Sequence, residues 1–264
     1  MDRFIRGEDV PYDTLRQVWQ NTTRPHPLWD VPIYEEFFRT VRDVNLQLPH
    51  QRHLRVILGD PPIDWDALRT AEEHRAWIAT PIAHRDRFPF EVIQREVVAR
   101  KRRALVIYGD LHFNRWNPQV PPGAADRSNN IVDLLEQSGV KVFSIHTSTI
   151  RVDLRTLQQD IGSWPKPSLS ILEGTTLGAA DFTTYYPAPN LKAADGRPLF
   201  PRPMAQQFDA VLYLGSPSEI TQSRLSPALC ADAAYMTMRR GRINLLGMKR
   251  DLERLDEQCR TVRN

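Results

Sequence analysis

The sequence has little cysteine and no long apolar run. Only two of its 264 residues are cysteines, Cys230 and Cys259. Their spacing fits neither a zinc-binding motif nor a disulfide framework, and it leaves a single bridge between them open. No stretch approaches the roughly 18 consecutive apolar residues of a membrane-spanning helix, and the opening MDRFIRGEDV lacks the apolar core of a signal peptide. As written, the sequence predicts a cytoplasmic protein with no membrane partner.

The motifs of several large enzyme classes are also missing. The sequence contains no G-x-S-x-G of serine hydrolases, no G-x-x-x-x-G-K-[ST] phosphate loop and no dinucleotide-binding G-x-G-x-x-G. Net charge is only +3, and we interpret the one dense basic run, residues 100–103, as the solvated end of a helix, where cations complement the dipole. Because no aromatic platform or basic stripe accompanies that run, we expect no nucleic-acid partner.

Proline is abundant, with 21 prolines against 12 glycines, and this predicts stiff, ordered loops between regular elements. The clearest helix is predicted at residues 34–48, where apolar residues recur on one stripe and Asp30 precedes as the N-cap. A second helix is expected at residues 88–102. A third is expected to begin at its cap, Ser128, and to end at Gly139.

Short β-branched runs alternate with these helices. They predict strands at residues 54–58, 104–108, 140–145, 169–172 and 208–214. Apolar strands that alternate with helices are typical of a mainly parallel sheet with helices on both faces. The sequence therefore predicts a single α/β domain over residues 1–264, with long proline-rich loops and a helical C-terminal tail from Pro227.

Polar side chains follow the predicted strands at the points where these end. In chain order they are Asp60, Asp64, Asp110, His112, His146 and Glu173. Because right-handed crossovers bring the carboxyl ends of parallel strands to one edge of the sheet, we expect these groups to meet there. Carboxylates and imidazoles in a cleft act as general acids and bases or as metal ligands. Arg85, just before the second helix, would position an anion.

Each of these residues also has a structural interpretation. Asp60, before two prolines, would cap a turn; Asp64 would cap a helix; and Arg85 would close a salt bridge. His112 is the most suggestive, because Gly109 lets the backbone turn sharply and exposes the ring, with a satisfied structural histidine as its alternative. The other histidines are interpreted as surface residues: His26, His50, His53, His74 and His84.

Five segments carry a resemblance to a known family. They are residues 55–65 (RVILGDPPIDW), 84–87 (HRDR), 108–112 (YGDLH), 173–178 (EGTTLG) and 208–215 (FDAVLYLG). Over most of its length the chain resembles an uncharacterised bacterial family, which is similar to the erythromycin esterase, ChaN and Tiki superfamily. The link to the superfamily rests on the Arg-Asp pair at 85–86 and the Gly-x-x-His turn at 109–112.

The superfamily combines an α/β fold with different activities. Erythromycin esterases open macrolactones with water activated by His and Glu, ChaN members bind haem, and Tiki members are metal-dependent proteases. The resemblance therefore implies a hydrolase of a small-molecule ester. It is also the sole basis for expecting a cofactor, which would be a divalent metal or haem. The expected catalytic residues are His112, Asp110, Asp60 and Arg85, and the expected substrate contacts are Asp64, His146 and Glu173.

The chain departs from the superfamily at its start. Members open with a strand that ends in a Gly-Glu-x-His turn, whereas Gly7-Glu8-Asp9 is not followed by histidine here. A shortened chain would lack half of the catalytic set and any signal peptide, so an exported protein is the alternative to a cytoplasmic one. Two further alternatives are a haem-binding protein with His112 or His146 as axial ligand, and an inactive scaffold. The uncovered sheet edge of such a scaffold would make it a homo-oligomer.

Overall fold

The computed structural model describes residues 1–109, 112–115, 130–147, 161–182, 203–216, 218–221 and 223–261. The chain divides into two compact units: unit 1 is residues 1–88 with 222–264, and unit 2 is residues 89–221. The described part of unit 1 is helical, and the β-sheet lies in unit 2. Among the described helices, none is both long and apolar enough to cross a membrane.

Helices account for most of the regular structure. The described α-helices are α1 Asp2–Ile5, α2 Tyr12–Gln20, α3 Pro32–Gln47, α4 Ala71–Ile78, α5 Arg87–Ile93, α6 Ile131–Gln137, α7 Thr176–Ala179, α8 Met204–Gln207, α9 Pro227–Ala231, α10 Ala233–Leu245 and α11 Lys249–Thr261. Shorter 3-10 helices occur at Pro27–Asp30, His50–Arg52 and Pro81–Ala83, and a π-helical segment at Gln94–Val98 follows α5. The strands are β1 Ile145–Thr147, β2 Ser168–Ile171 and β3 Ala210–Tyr213.

Helix α3 confirms the clearest prediction from the sequence. Its apolar stripe packs into the core of unit 1 through Phe38 and Val41, as the 3.6-residue period requires. The predicted N-cap was wrong, because the helix is capped by Val31. Asp30 is instead fully buried and ion-paired with Arg239 of α10. A carboxylate without a partner inside a protein costs more free energy than a helix end without a side-chain cap.

Two apolar clusters hold unit 1 together. In the first, α1 and α2 pack on α3, with Phe4, Trp19 and Phe38 among the buried residues. The second cluster is formed largely by α9, α10 and α11, so the predicted helical tail is confirmed. The Cys230–Cys259 disulfide joins α9 to α11 inside this second cluster. The bridge that the sequence left open is therefore formed.

Unit 2 contains a mixed three-stranded sheet in the order β1-β3-β2. Strand β1 is parallel to β3, with Ile145 opposite Ala210, and β2 is antiparallel to β3, with Leu169 opposite Leu212. Val211 and Tyr213 of β3 belong to the apolar core of unit 2. The other buried residues of this core are Ile161, Leu172, Leu177, Phe182, Met204 and Phe208. The described fold is thus a mixture of helices and one small sheet that has both a parallel and an antiparallel pair.

Two of the predicted strands are wrong. Residues 54–58 and 104–108 belong to no described helix, turn or strand, and the strand expected at 140–145 begins only at Ile145. A strand requires a hydrogen-bonded partner from elsewhere in the chain, and the β-branched character of a segment does not supply one. The runs at 169–172 and 208–214 do become β2 and β3.

The helix predictions in unit 2 need smaller corrections. The helix expected at 88–102 is observed as α5 and the π-helical segment, which ends at Val98. The cap of α6 is Asn130, whose side chain accepts a hydrogen bond from the backbone N–H of Asp133, whereas Ser128 lies outside the described residues. Gly139 follows α6 with φ +80°, as a glycine that closes a helix should.

Candidate functional site

Asp60 is held by a residue far from it in the chain. Its Oδ2 accepts a hydrogen bond from the backbone N–H of Thr23 at 2.6 Å, and its Oδ1 accepts one from the Thr23 hydroxyl at 3.2 Å. The Nε atom of Arg85 lies 3.8 Å from Asp60 Oδ1. The carboxylate therefore binds a distant segment and faces a cation, so the structure brings together two of the residues expected in the site.

His74 lies beside the same threonine. The backbone carbonyl of Thr23 faces the ring and favours its protonated form, an effect smaller than that of burial. His74 Nε2 has no hydrogen-bond partner among the described residues. Burial lowers the pKa of His74, so the ring is neutral at pH 7. The interpretation of His74 as a surface residue was wrong, since it is only 6% exposed.

An indole forms one wall around this histidine. The ring of Trp65 stacks on that of His74 with a centroid separation of 5.6 Å and an interplanar angle of 15°. Trp65 Nε1 donates to the Thr22 carbonyl at 3.0 Å, and the Arg242 guanidinium lies 5.3 Å from the Trp65 ring centre. Burial, with the nearby charge of Arg239, lowers the pKa of Arg242 to about 10. We call Thr23, Asp60, Trp65, His74 and Arg85 the Asp60 site.

The other expected residue of unit 1 has a local role. Asp64 is exposed, and its Oδ1 accepts hydrogen bonds from the backbone N–H groups of Asp66 at 3.0 Å and Ala67 at 3.3 Å. This is the turn-capping use of an aspartate that its sequence context also allowed. It makes Asp64 a natural control for substitutions at Asp60.

His112 stands in a tight turn of unit 2. Its backbone N–H donates to the Gly109 carbonyl at 3.0 Å, and its ring meets the Tyr108 ring edge-on at 4.7 Å. A β-carbon at residue 109 would lie 3.4 Å from His112 Cδ2, an ordinary van der Waals contact, and Gly109 has no positive φ, so the turn does not depend on glycine in the way the sequence suggested. Asp110, expected beside it, lies outside the described residues.

His146 and Glu173 occupy different environments within unit 2. His146 is a buried residue of β1 whose ring stacks on Phe208 at 4.6 Å. Glu173 is exposed, in the turn between β2 and α7. The expected site residues are thus divided between the two units: Asp60, Asp64 and Arg85 belong to unit 1, and His112, His146 and Glu173 belong to unit 2.

Sequence reasoning also missed an ion-paired cluster after β3. Lys166 Nζ lies 2.6 Å from Glu219 Oε2, and the backbone N–H and hydroxyl of Ser216 each donate to the same oxygen at 2.8 Å. These hydrogen bonds, that of Lys166 first, lower the pKa of Glu219 to about 2. A β-carbon at Gly215, where φ is +130°, would lie 3.2 Å from that oxygen. The signal in the sequence is the Gly-Ser-x-Ser-Glu run after a predicted strand.

The described residues do not supply a metal centre. No group of three or more His, Cys, Asp or Glu side chains that could hold an ion occurs among them. The metal that the family resemblance implies therefore has no ligand set among the described residues. Comparison with protein-family models, curated proteins and solved structures gives no match.

Proposed function

We propose that the protein is a hydrolase of the erythromycin-esterase type that cleaves a small-molecule ester at the Asp60 site. The observation that carries the proposal is the position of Thr23, whose N–H and hydroxyl bind Asp60 and whose backbone carbonyl faces His74. A carboxylate and a neutral imidazole on either side of one residue are groups that general acid–base catalysis uses. The resemblance in sequence supports the same reaction class and a larger, mainly parallel sheet with helices on both faces.

The imidazole of His74 is the proposed base. In its neutral form, Nε2 removes a proton from a water molecule, whose oxygen attacks the ester carbonyl carbon. The protonated ring then returns that proton to the departing alkoxide, so an acid and an alcohol are released and the imidazole is neutral again. Because Nε2 is shielded from solvent, the attacking water is a buried one.

The other groups of the site act around that step. Arg85 lies on the Asp60 side and carries a fixed positive charge, which stabilises the negative oxygen of the tetrahedral intermediate. Asp60 holds Thr23, whose backbone carbonyl faces the ring of His74, so Asp60 is a positioning residue rather than the base. The nearly parallel Trp65 ring restricts the ring plane of His74.

The test is ester hydrolysis by the full chain, with 4-nitrophenyl acetate and erythromycin as substrates. His74→Gln is expected to lower kcat/KM by about 10²–10⁴-fold, the usual contribution of a general base. Asp60→Asn is expected to give a smaller loss that falls mainly on kcat, because it only loosens the ring. Asp64→Asn is the matched control and should leave kcat/KM unchanged.

Three outcomes would contradict this assignment. A wild-type protein that hydrolyses neither ester above the buffer rate would remove the hydrolase proposal. Equal activity of wild type and His74→Gln, with both folded by circular dichroism, would remove the Asp60 site. Loss of activity in His112→Ala but not in His74→Gln would move the site to unit 2, where the family resemblance expects the catalytic histidine.

The disulfide bears on the compartment in which the protein works. Cys230 and Cys259 are both buried, and stable disulfides persist mainly in oxidising compartments. This favours the exported alternative over the cytoplasmic one. Alkylation of the protein, denatured directly from its native cells, should label neither cysteine; labelling of both would favour the cytoplasm.

A further inference from the structure

Arg242 of α10 is a half-buried arginine at the border of the Asp60 site. Its guanidinium lies 5.3 Å from the centre of the Trp65 ring, which forms one wall of that site. One stretch of backbone holds both places: the Gln20 carbonyl accepts a hydrogen bond from Arg242 at 3.1 Å, and Thr23, three residues further on, binds Asp60. Arg242 and the site therefore belong to one connected part of unit 1.

The hydrogen bonds of Arg242 use only one end of its guanidinium. Nη1 donates to the Gln20 carbonyl at 3.1 Å and to Asn21 Oδ1 at 2.9 Å. Nε and Nη2 have no hydrogen-bond partner among the described residues, and neither atom is fully buried. The N–H groups of these two atoms lie along one edge of the guanidinium plane, and that edge matches the two oxygens of a carboxylate. The fold thus fixes the arginine and leaves its bidentate edge open.

The charge of Arg242 has no paired carboxylate. Arg242 and Arg239 both donate to the Gln20 carbonyl, at 3.1 and 3.4 Å, so two guanidinium groups meet at one oxygen. Asp30 is ion-paired with Arg239, whereas Asp66 acts on Arg242 only from beyond ion-pair distance. Burial and then the charge of Arg239 lower the pKa of Arg242 to about 10, and the group stays charged at pH 7. A bound anion would offset this repulsion.

Buried donors near Arg239 add to the positive potential. Arg239 Nε, Arg239 Nη1 and Gln20 Nε2 are buried and have no hydrogen-bond partner among the described residues, against one such acceptor in the same cluster, Asp30 Oδ1. Oriented N–H groups without acceptors act as fixed partial positive charges. The neighbourhood of Arg242 is therefore short of negative charge, and the open edge of Arg242 is where an anion can supply it.

We propose that Arg242 binds a free carboxylate of the substrate through Nε and Nη2, so that the ester cleaved at the Asp60 site belongs to a molecule with a second, acidic group. The inference rests on the proposed hydrolase activity and adds a substrate class to it. Arg242 orients the substrate and takes no part in proton transfer. Because the carboxylate is bound equally in the ground state and in the transition state, the interaction lowers KM rather than raising kcat.

Selectivity between two esters of equal chain length tests the proposal. Mono(4-nitrophenyl) glutarate carries a free carboxylate, whereas 4-nitrophenyl valerate has a methyl group in its place. The full-length wild type is expected to cleave the glutarate ester with the higher kcat/KM, and the difference should lie in KM. Arg242→Gln is expected to lower the ratio of the two kcat/KM values by about 10–100-fold, the usual weight of hydrogen bonds to a charged group.

Two further variants separate the charge of the arginine from its shape. Arg240→Gln is the matched control, because it removes one positive charge from the same helix, but Arg240 is exposed and pairs with Asp256 at 2.5 Å. Its ratio should equal that of the wild type. Arg242→Lys keeps the charge and loses the paired edge, so the ratio should fall by less than in Arg242→Gln. This variant also carries the test where Arg242→Gln does not fold.

Binding without hydrolysis separates this inference from the hydrolase proposal. Calorimetric titration with glutaric acid monoamide, which has an amide in place of the ester, should show binding to the wild type that is about 10–100-fold weaker in Arg242→Gln. If the monoamide binds in this way but neither ester is cleaved, the carboxylate site stands and the hydrolase proposal fails. Equal kcat/KM for the two esters in the wild type, a ratio that neither substitution of Arg242 changes, or equal monoamide affinity of wild type and Arg242→Gln would each overturn the inference.

Discussion

The Cys230–Cys259 disulfide permits a quantitative prediction for unit 1. It joins α9 to α11 across a sequence separation of 29 residues, and both half-cystines lie within the apolar cluster formed by the C-terminal helices. Breaking the cross-link leaves the folded contacts in place but allows the unfolded chain more conformations. Stability is therefore lost chiefly through the entropy of the unfolded state.

The size of the effect follows from the length of the closed loop. For a loop of this separation, the chain-entropy relation gives about 3.6 kcal/mol at 25 °C. A typical domain has only about 5–15 kcal/mol of net stability, so the loss would be a large fraction of the total. We expect the double variant Cys230→Ala/Cys259→Ala to unfold at a markedly lower urea concentration than the wild type.

Urea unfolding followed by tryptophan fluorescence is the appropriate assay. Most of the tryptophans belong to unit 1: Trp19, Trp29, Trp65 and Trp77. Wild type with the disulfide reduced is the matched control, because it keeps both sulfur atoms and loses only the cross-link. Reduced wild type and the double variant should lose similar free energy of unfolding. A loss below about 1 kcal/mol in both would refute the entropic account.

Four further predictions concern packing and charge. Gly178→Ala should destabilise unit 2 by at least about 3 kcal/mol, because the new β-carbon would lie 1.8 Å from a main-chain oxygen. Gly241→Ala, whose β-carbon meets no atom within 4 Å, should stabilise α10 by about 0.5–1 kcal/mol; thermal unfolding compares the two. Arg239→Met should cost about 3–5 kcal/mol in urea unfolding, because it leaves the buried carboxylate of Asp30 without its counter-charge, and the hydrogen bond from the Tyr235 hydroxyl does not replace a cation. Since the pKa of His74 is lowered in the folded state, the unfolded chain takes up this proton first as pH falls. The wild type should therefore lose stability on acidification below about pH 6.5, and His74→Phe should show a flatter dependence between pH 7 and pH 5.

The sequence predicted those elements that depend on local information. Helix α3 and the C-terminal helices follow from an apolar stripe with a 3.6-residue period, a pattern contained in the segment itself. Residues 54–58 and 104–108 have equally clear strand composition and yet join no described strand. Whether an apolar β-branched run becomes a strand depends on a partner remote in the chain, which composition cannot reveal.

The candidate site was predictable only in part. Asp60 and Arg85 were expected together, and they lie 3.8 Å apart. The polar neighbours of His74 in the sequence predict a surface residue, whereas the fold buries its ring against Trp65. Thr23 gave no signal at all, since it acts mainly through its backbone N–H and carbonyl, groups that nearly every residue possesses.

The division of the chain into units has a consequence for synthesis on the ribosome. Unit 1 is assembled from the first and last stretches of the chain, with the whole of unit 2 between them. The N-terminal stretch therefore emerges long before α10, which carries the arginine that pairs with Asp30. While unit 2 is being synthesised, α1, α2 and α3 can already pack on one another, because their apolar cluster draws only on the N-terminal stretch. Asp30 and Val31 are different: the residues that bury them belong to the C-terminal helices, so both stay uncovered until those helices have been made.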